Sequence, residues 1–296
     1  MEIRHLQHTE INFEKWDACL LQASNSLIYA ESWYLNIVSP AWEALIAGDY
    51  EYVMPLPLKR KFGIPFLAQP PLTQQLGVFS KNKITEKIVR DFILKIPYLS
   101  YHLHLNEENE CPESKALPNY VLDLNKNYVV LYSDFSKNTK RNIEKANKSE
   151  IEITNGLTPD EFLDFYYQTE KNYAEPTEKI AAELIKTGFE TEKLRLYGAY
   201  NMEKKLISAL CLLHSAERLI YLLPVSNEEG KKTSAMFSII NEIIRTNAET
   251  PMLLDFEGSR IEGIAKFYEG FGGRNKPYFE VKHLSVNDLL KKLPFY

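Results

Sequence analysis

The stretch whose reading decides the fold is LLDFEGSRIEGIAKFYEGFGG, residues 253–273. A short apolar run meets a turn at Asp255 and Glu257. Ile261, Ile264, Ala265 and Tyr268 then recur at the spacing of one helical face, and glycines close the segment. The pattern is a strand followed by a helix, and its neighbours determine which sheet it joins. Upstream, residues 193–200, 206–214 and 218–223 are apolar runs separated by short polar turns, which predicts a three-stranded antiparallel meander with a buried centre. Past Pro224 the polar stretch VSNEEGKKTSA opens a helix carrying Met236, Ile239, Ile240 and Ile243 on one face. A strand over 252–256, the helix through Tyr268 and a last strand near 278–281 follow. Helices at 160–167, opened by Thr158 and Pro159, and at 181–186 precede the meander.

The first half carries a shorter version of the same order. A helix is predicted over 32–38 and strands over 42–47, 52–58 and 64–67. A helix over 84–96 and a strand over 101–105 follow. The turn-rich CPESKALPN, residues 111–119, separates the halves, and the strand at 120–124 with the helix after Ser136 crosses between them. No residue-level repeat is present, so the similarity is one of element order. The expected domains are 1–125 and 126–296.

Composition narrows the function. The chain has 296 residues, a formal net charge of -5 and an isoelectric point near 5.8, which disfavours nucleic acid and anionic membranes as partners of the whole surface. The three cysteines form no CxxC, and the histidines show no metal-ligand spacing, so no metal is expected. The start MEIRHLQHTEINFEKW lacks the apolar core of a signal peptide, and no run approaches the ~18 apolar residues of a membrane span. The expectation is a cytoplasmic protein with no membrane span; its oligomeric state is not encoded in any visible pattern.

The meander, the polar loop opening a helix, the parallel strand and the helix ending in FYEGFGG together resemble the GNAT acyltransferases. The stretch YSDFSKNTKRNIEKA, followed later by residues 253–273, is similar to the FemAB-like branch, in which two GNAT-type halves form one enzyme. The motif resemblance covers residues 130–282, and the first half matches in element order only. It implies an α/β (α+β) fold of two GNAT-like mixed-sheet halves packed side by side.

The same resemblance implies acyl-CoA, acetyl-CoA above all, as co-substrate. Its pyrophosphate would rest at 227–235, where a helix start offers unpaired N–H donors. Asn227, Gly230, Lys231, Lys232, Thr233, Ser234 and Ala235 are the candidates, although only Gly230 fits the usual loop pattern. Tyr268 occupies the position of a tyrosine that protonates the departing thiolate; the alternative is core packing on its apolar stripe. Asp255 and Glu257 are candidate proton acceptors, the alternative being that Glu257 or Ser259 caps the next helix. Lys137, Lys140, Arg141, Lys145 and Lys148 gather on one helical face, for phosphates or simply for solvent. His214 and Cys211 read as structural.

The expected activity is acyl transfer from acyl-CoA to an amine of a small molecule or cell-envelope precursor. A FemAB-type transfer from aminoacyl-tRNA to a cell-wall precursor is the second reading, opposed by the acidic balance and the lack of a long heptad insertion. A non-catalytic ligand-binding module is the third.

Overall fold

The computed structural model describes residues 1–169, 175–215, 217–258 and 261–284. The chain divides into two compact units, Met1–Leu117 with Pro277–Tyr296, and Pro118–Lys276.

The first unit contains β1 (Ile3–Leu6), α1 (Phe13–Gln22), α2 (Ser32–Val38), β2 (Glu43–Ala47), β3 (Tyr52–Leu56), β4 (Leu58–Lys61), β5 (Ile64–Ala68), β6 (Phe79–Ser80), α3 (Glu86–Leu94), β7 (Tyr101–Leu105) and β8 (Lys115–Leu117). Its last strand, β16 (Tyr278–His283), comes from the far end of the sequence. Strands β1-β2-β3-β6 make one antiparallel sheet, and β4-β5-β7-β16-β8 a second, in which β5 and β7 run parallel. The single strand expected over 52–58 is two, because Pro57 has no N–H for the ladder and the chain changes sheets there. Leu45, Met54, Phe92, Leu103, Leu105 and Val281 meet in one buried cluster.

The second unit contains β9 (Tyr120–Asp123), α4 (Tyr128–Asp134), α5 (Lys137–Lys148), β10 (Glu152–Thr154), α6 (Pro159–Thr169), α7 (Glu175–Glu190), β11 (Leu194–Tyr200), β12 (Leu206–His214), β13 (Arg218–Ser226), α8 (Glu228–Thr233), α9 (Ala235–Asn247), β14 (Leu253–Asp255), α10 (Glu262–Gly270) and β15 (Arg274–Asn275). They form a seven-stranded sheet in the order β10-β11-β12-β13-β14-β9-β15. The predicted meander is β11-β12-β13, antiparallel throughout, and β14 joins β13 in parallel. Local signals set the helix starts. Thr158 and Glu161 exchange hydrogen bonds as a capping box, and the Ser136 side chain accepts from Thr139 N–H. On one face of the sheet Leu210, Leu212, Tyr221 and Leu254 share a core with Phe256, with Ile240 of α9 and with Tyr268 of α10. Buried Phe162, Leu163, Leu184 and Ile185 belong to α6 and α7, which pack against β11 to β13.

The boundary expected after residue 125 lies between Leu117 and Pro118, and the last strand leaves the second unit altogether. β9 is a full member of the seven-stranded sheet, paired with β14 and β15. β16 instead pairs with β7 and β8, burying Phe279 and Val281 in the first unit's core. Alternation identifies a strand but carries no address; the partner is chosen by long-range pairing.

Candidate functional site

The β13 strand is nine residues long and β14 only three. Their parallel register covers Arg218 with Leu253, Leu219 with Leu254, and Ile220 with Asp255, and stops there. Phe256 N–H then donates to the Tyr120 carbonyl, so the chain after β14 follows β9 and leaves β13. From Tyr221 to Ser226 the β14 side of β13 has no strand partner among the described residues. Two features mark this free edge. Cys211 faces Leu223 while Leu212 faces Tyr221, so Leu222 is an extra residue, a β-bulge that bends and twists the strand where the ladder ends. Pro224 lies in the strand and is exposed, which is tolerated because an unpaired edge needs no donor from it.

The α10 side of the divergence is lined by rings. Tyr221 is the first residue of β13 beyond the last parallel pair, and Phe256 the first beyond it on the other chain. Tyr268 stacks on Phe256 with centroids 5.1 Å apart and meets Tyr221 edge-on at 6.0 Å. Tyr120 lies 6.0 Å from the same ring. Tyr268 is 8% exposed. Burial, and then the negative charges of Glu257 and Asp255, push its phenol well above its ordinary value, so it remains a proton donor at neutral pH. Tyr221 is raised as well, by burial and by the neighbouring Tyr268. The helical stripe predicted around Tyr268 is only partly right: Ile261 and Ile264 are exposed, while Tyr268 is buried in the core and half-buried Ala265 packs against it.

The two carboxylates part company. Asp255 is 1% exposed and ion-paired to Arg218, with Nη1 to Oδ2 at 2.7 Å, while its Oδ1 accepts the Glu257 N–H at 2.9 Å. Both oxygens are thus engaged, one by the Arg218 guanidinium and one by the Glu257 main chain. Glu257 is half-buried with φ of 60°, and strand alternation ends at this residue. It does not cap α10: the cap residue is Ile261, with no side-chain cap. Ser259, the other expected cap, lies outside the described residues.

The segment 227–235, expected as an open phosphate cradle, is folded into α8 and docked on β12. Asn227 N–H donates to the Ile207 carbonyl, and the Asn227 side chain accepts the Gly230 N–H. Lys231 N–H donates to Asn227 O and Ser234 N–H to Lys231 O. The Lys231 ammonium pairs with Glu228, and the Thr233 hydroxyl donates to the Glu229 carbonyl. Lys232 is exposed, while Ser234 and Ala235 are buried. A Cβ on Gly230 would lie 2.9 Å from the Ile207 carbonyl carbon, so this glycine is required by helix-on-strand packing. Gly230, Ser234 and Ala235 are therefore taken up by packing, and the Lys231 ammonium by Glu228 at the surface.

Cys211 is fully buried and its thiol is pushed up by that burial, as a core residue. On α5, Lys140 donates to Ser133 O and lies over Tyr132; Lys137, Arg141, Lys145 and Lys148 are exposed. Residue-by-residue reading missed Arg218, Tyr221 and Tyr120. An arginine opening an apolar strand is a visible oddity, but its partner is 37 residues away. The tyrosines read as ordinary strand residues.

Three solved structures share this architecture. FemX superposes with a TM-score of 0.67 at 10% identity, over 99% of this chain and 99% of that one. A tandem GNAT protein from the clavulanic acid biosynthesis pathway matches at 12% identity over 95% and 98%, TM-score 0.51. The chain has the tandem GNAT fold of FemX. The C-terminal domain of a protein described as a lysylphosphatidylglycerol synthetase from Agrobacterium fabrum matches at 8% identity over 94% of each chain, TM-score 0.56. No protein-family model and no curated sequence matches the chain. At these identities the likeness is one of fold. Among the described residues no helix is long and apolar enough to cross a membrane.

Proposed function

We propose that the second unit catalyses acyl transfer from an activated ester or thioester to an amine. The parting of β13 from β14 beyond Ile220 and Asp255 carries this reading. Main-chain groups along the free edge of β13 would hold the donor carbonyl oxygen as negative charge develops on it. The amine nitrogen attacks the carbonyl carbon directly; the C–N bond forms and the bond to the leaving oxygen or sulfur breaks. Glu257 takes the amine proton, and the buried Tyr268 phenol protonates the leaving group. The acceptor is an amine of a small molecule or a cell-envelope precursor.

A second reading concerns the donor. With 227–235 docked on β12, a CoA pyrophosphate lacks the cradle the resemblance implies, whereas α5 offers an exposed cationic face. Both features favour an aminoacyl-tRNA ester over acyl-CoA. Incubation with acetyl-CoA and longer acyl-CoA donors, and separately with charged tRNA, against a panel of amines tests both. Turnover of tRNA that falls steeply with added salt supports the second donor; thiol release from CoA supports the first. A donor bound without consumption would identify a ligand-binding module and overturn the enzymatic reading, as would failure of every donor to bind.

A further inference from the structure

Side chains of the five-stranded sheet in the first unit alternate between two faces. Leu103, Leu105, Phe279 and Val281 enter the core, so His102, His104 and Glu280 stand on the opposite face. The pairing of β7 with β16 sets Glu280 directly opposite His104. His102, two residues along the same strand, brings its Nε2 to 3.0 Å from Glu280 Oε1. One ligand atom from each of the three residues lies within 4.8 Å of the other two.

We propose that His102, His104 and Glu280 bind a divalent transition-metal ion of the zinc, cobalt or nickel class, fastening β16 to β7. Two imidazole nitrogens and one carboxylate oxygen are the donor set such ions prefer, whereas calcium and magnesium require mostly oxygen. Metal bonds of 2.0–2.1 Å place tetrahedral ligand atoms roughly 3.3 Å apart. The ligand atoms therefore have to close by at most about 1.5 Å. His102 can turn, since 56% of its side chain is exposed, and closure exchanges its hydrogen bond to Glu280 for a shared ion. His104 is steadied by its backbone N–H to Gln69 Oε1 at 3.0 Å and by its ring against Tyr278 at 5.4 Å. Lys282 opposite His102 and Lys115 opposite Glu280 oppose the cation, but both side chains are exposed and extend into solvent. Three protein ligands leave a fourth position for water.

The sequence reading expects no metal because HLH is a ligand pair only on a strand, and Glu280 is 178 residues from His102. The test uses the full chain without an affinity tag, stripped with EDTA and titrated calorimetrically with zinc chloride, with Co²⁺ absorption as a second readout. One equivalent should bind and raise the melting temperature. His102→Ala and His104→Ala should each weaken binding by about tenfold or more, and Glu280→Gln should weaken it too. Circular dichroism verifies that each variant is folded; His102→Ala removes a mostly exposed ring and should leave the core intact. Absence of saturable binding, or binding that survives both histidine substitutions, overturns the proposal.

Discussion

Replacing Gly230 by alanine distinguishes a packing glycine from one that admits a ligand phosphate. The added Cβ would sit 2.9 Å from the Ile207 carbonyl carbon and 2.7 Å from Ser208 Oγ, with the Ile207 carbonyl oxygen closer still. Carbon atoms prefer roughly 3.5–4.0 Å, so the carbon contact alone asks α8 to lift from β12 by about 0.6–1.1 Å, and the closer oxygen asks for more. Overpacking of this kind costs about 1–3 kcal/mol, and the upper end applies because the opposing atoms are mainly backbone and cannot rotate away. For a unit the size of Pro118–Lys276, about 3 kcal/mol corresponds to a loss of roughly 6–12 °C in melting temperature. Thermal unfolding followed by far-UV circular dichroism measures the shift. All three tryptophans, Trp16, Trp33 and Trp42, lie in the first unit, so their fluorescence provides an internal reference. A variant that melts with the wild type but loses donor binding would refute the packing argument and restore the phosphate cradle.

Asp255→Ala should destabilise by about 3–5 kcal/mol in urea titrations, because it removes the buried carboxylate that balances the Arg218 charge. In a double-mutant cycle with Arg218→Ala, the two losses should fall well short of adding; simple additivity would deny the pair its role. The raised phenols of Tyr221 and Tyr268 make the second unit sensitive to alkali. Folded values above the unfolded one mean that this stability is complete below about pH 10 and is lost as pH rises through the folded values, at about 1.4 kcal/mol per pH unit for each phenol. Tyr221→Phe should flatten that decline, and an unchanged slope between pH 10 and 11.5 would contradict it. On the proposed acyl transfer, Tyr268→Phe should keep the ring stack yet lower kcat by about a hundredfold or more with little change in KM; undiminished kcat would return Tyr268 to a purely structural place.

Much of the second unit was legible before any coordinates. Strand β12 begins and ends where its continuous apolar run does, and α9 starts at the last residue of the polar stretch. Period and capping are local properties, written in residues a few positions apart. Where reading failed, the deciding contact was distant. The loop 227–235 reads as polar and open, but Gly230 fits against Ile207 of a strand more than twenty residues earlier. Asp255 and Glu257 look alike at the end of a strand. Only Arg218, delivered by the parallel pairing of β13 and β14, makes Asp255 rather than Glu257 its buried ion-pair partner.

Sequence alone determined the buried meander and the helix, strand and helix that follow it, since hydrophobic period and turn chemistry specify each element from within, while the tandem GNAT character was implied by the resemblance of its motifs. Tertiary structure decided which sheet receives the last strand, where β13 is left without a neighbour, and how His102, His104 and Glu280 come together. The physical reason is that strand pairing and ligand convergence are set by backbone hydrogen bonds and packing between residues far apart in the chain, and no local pattern records that choice.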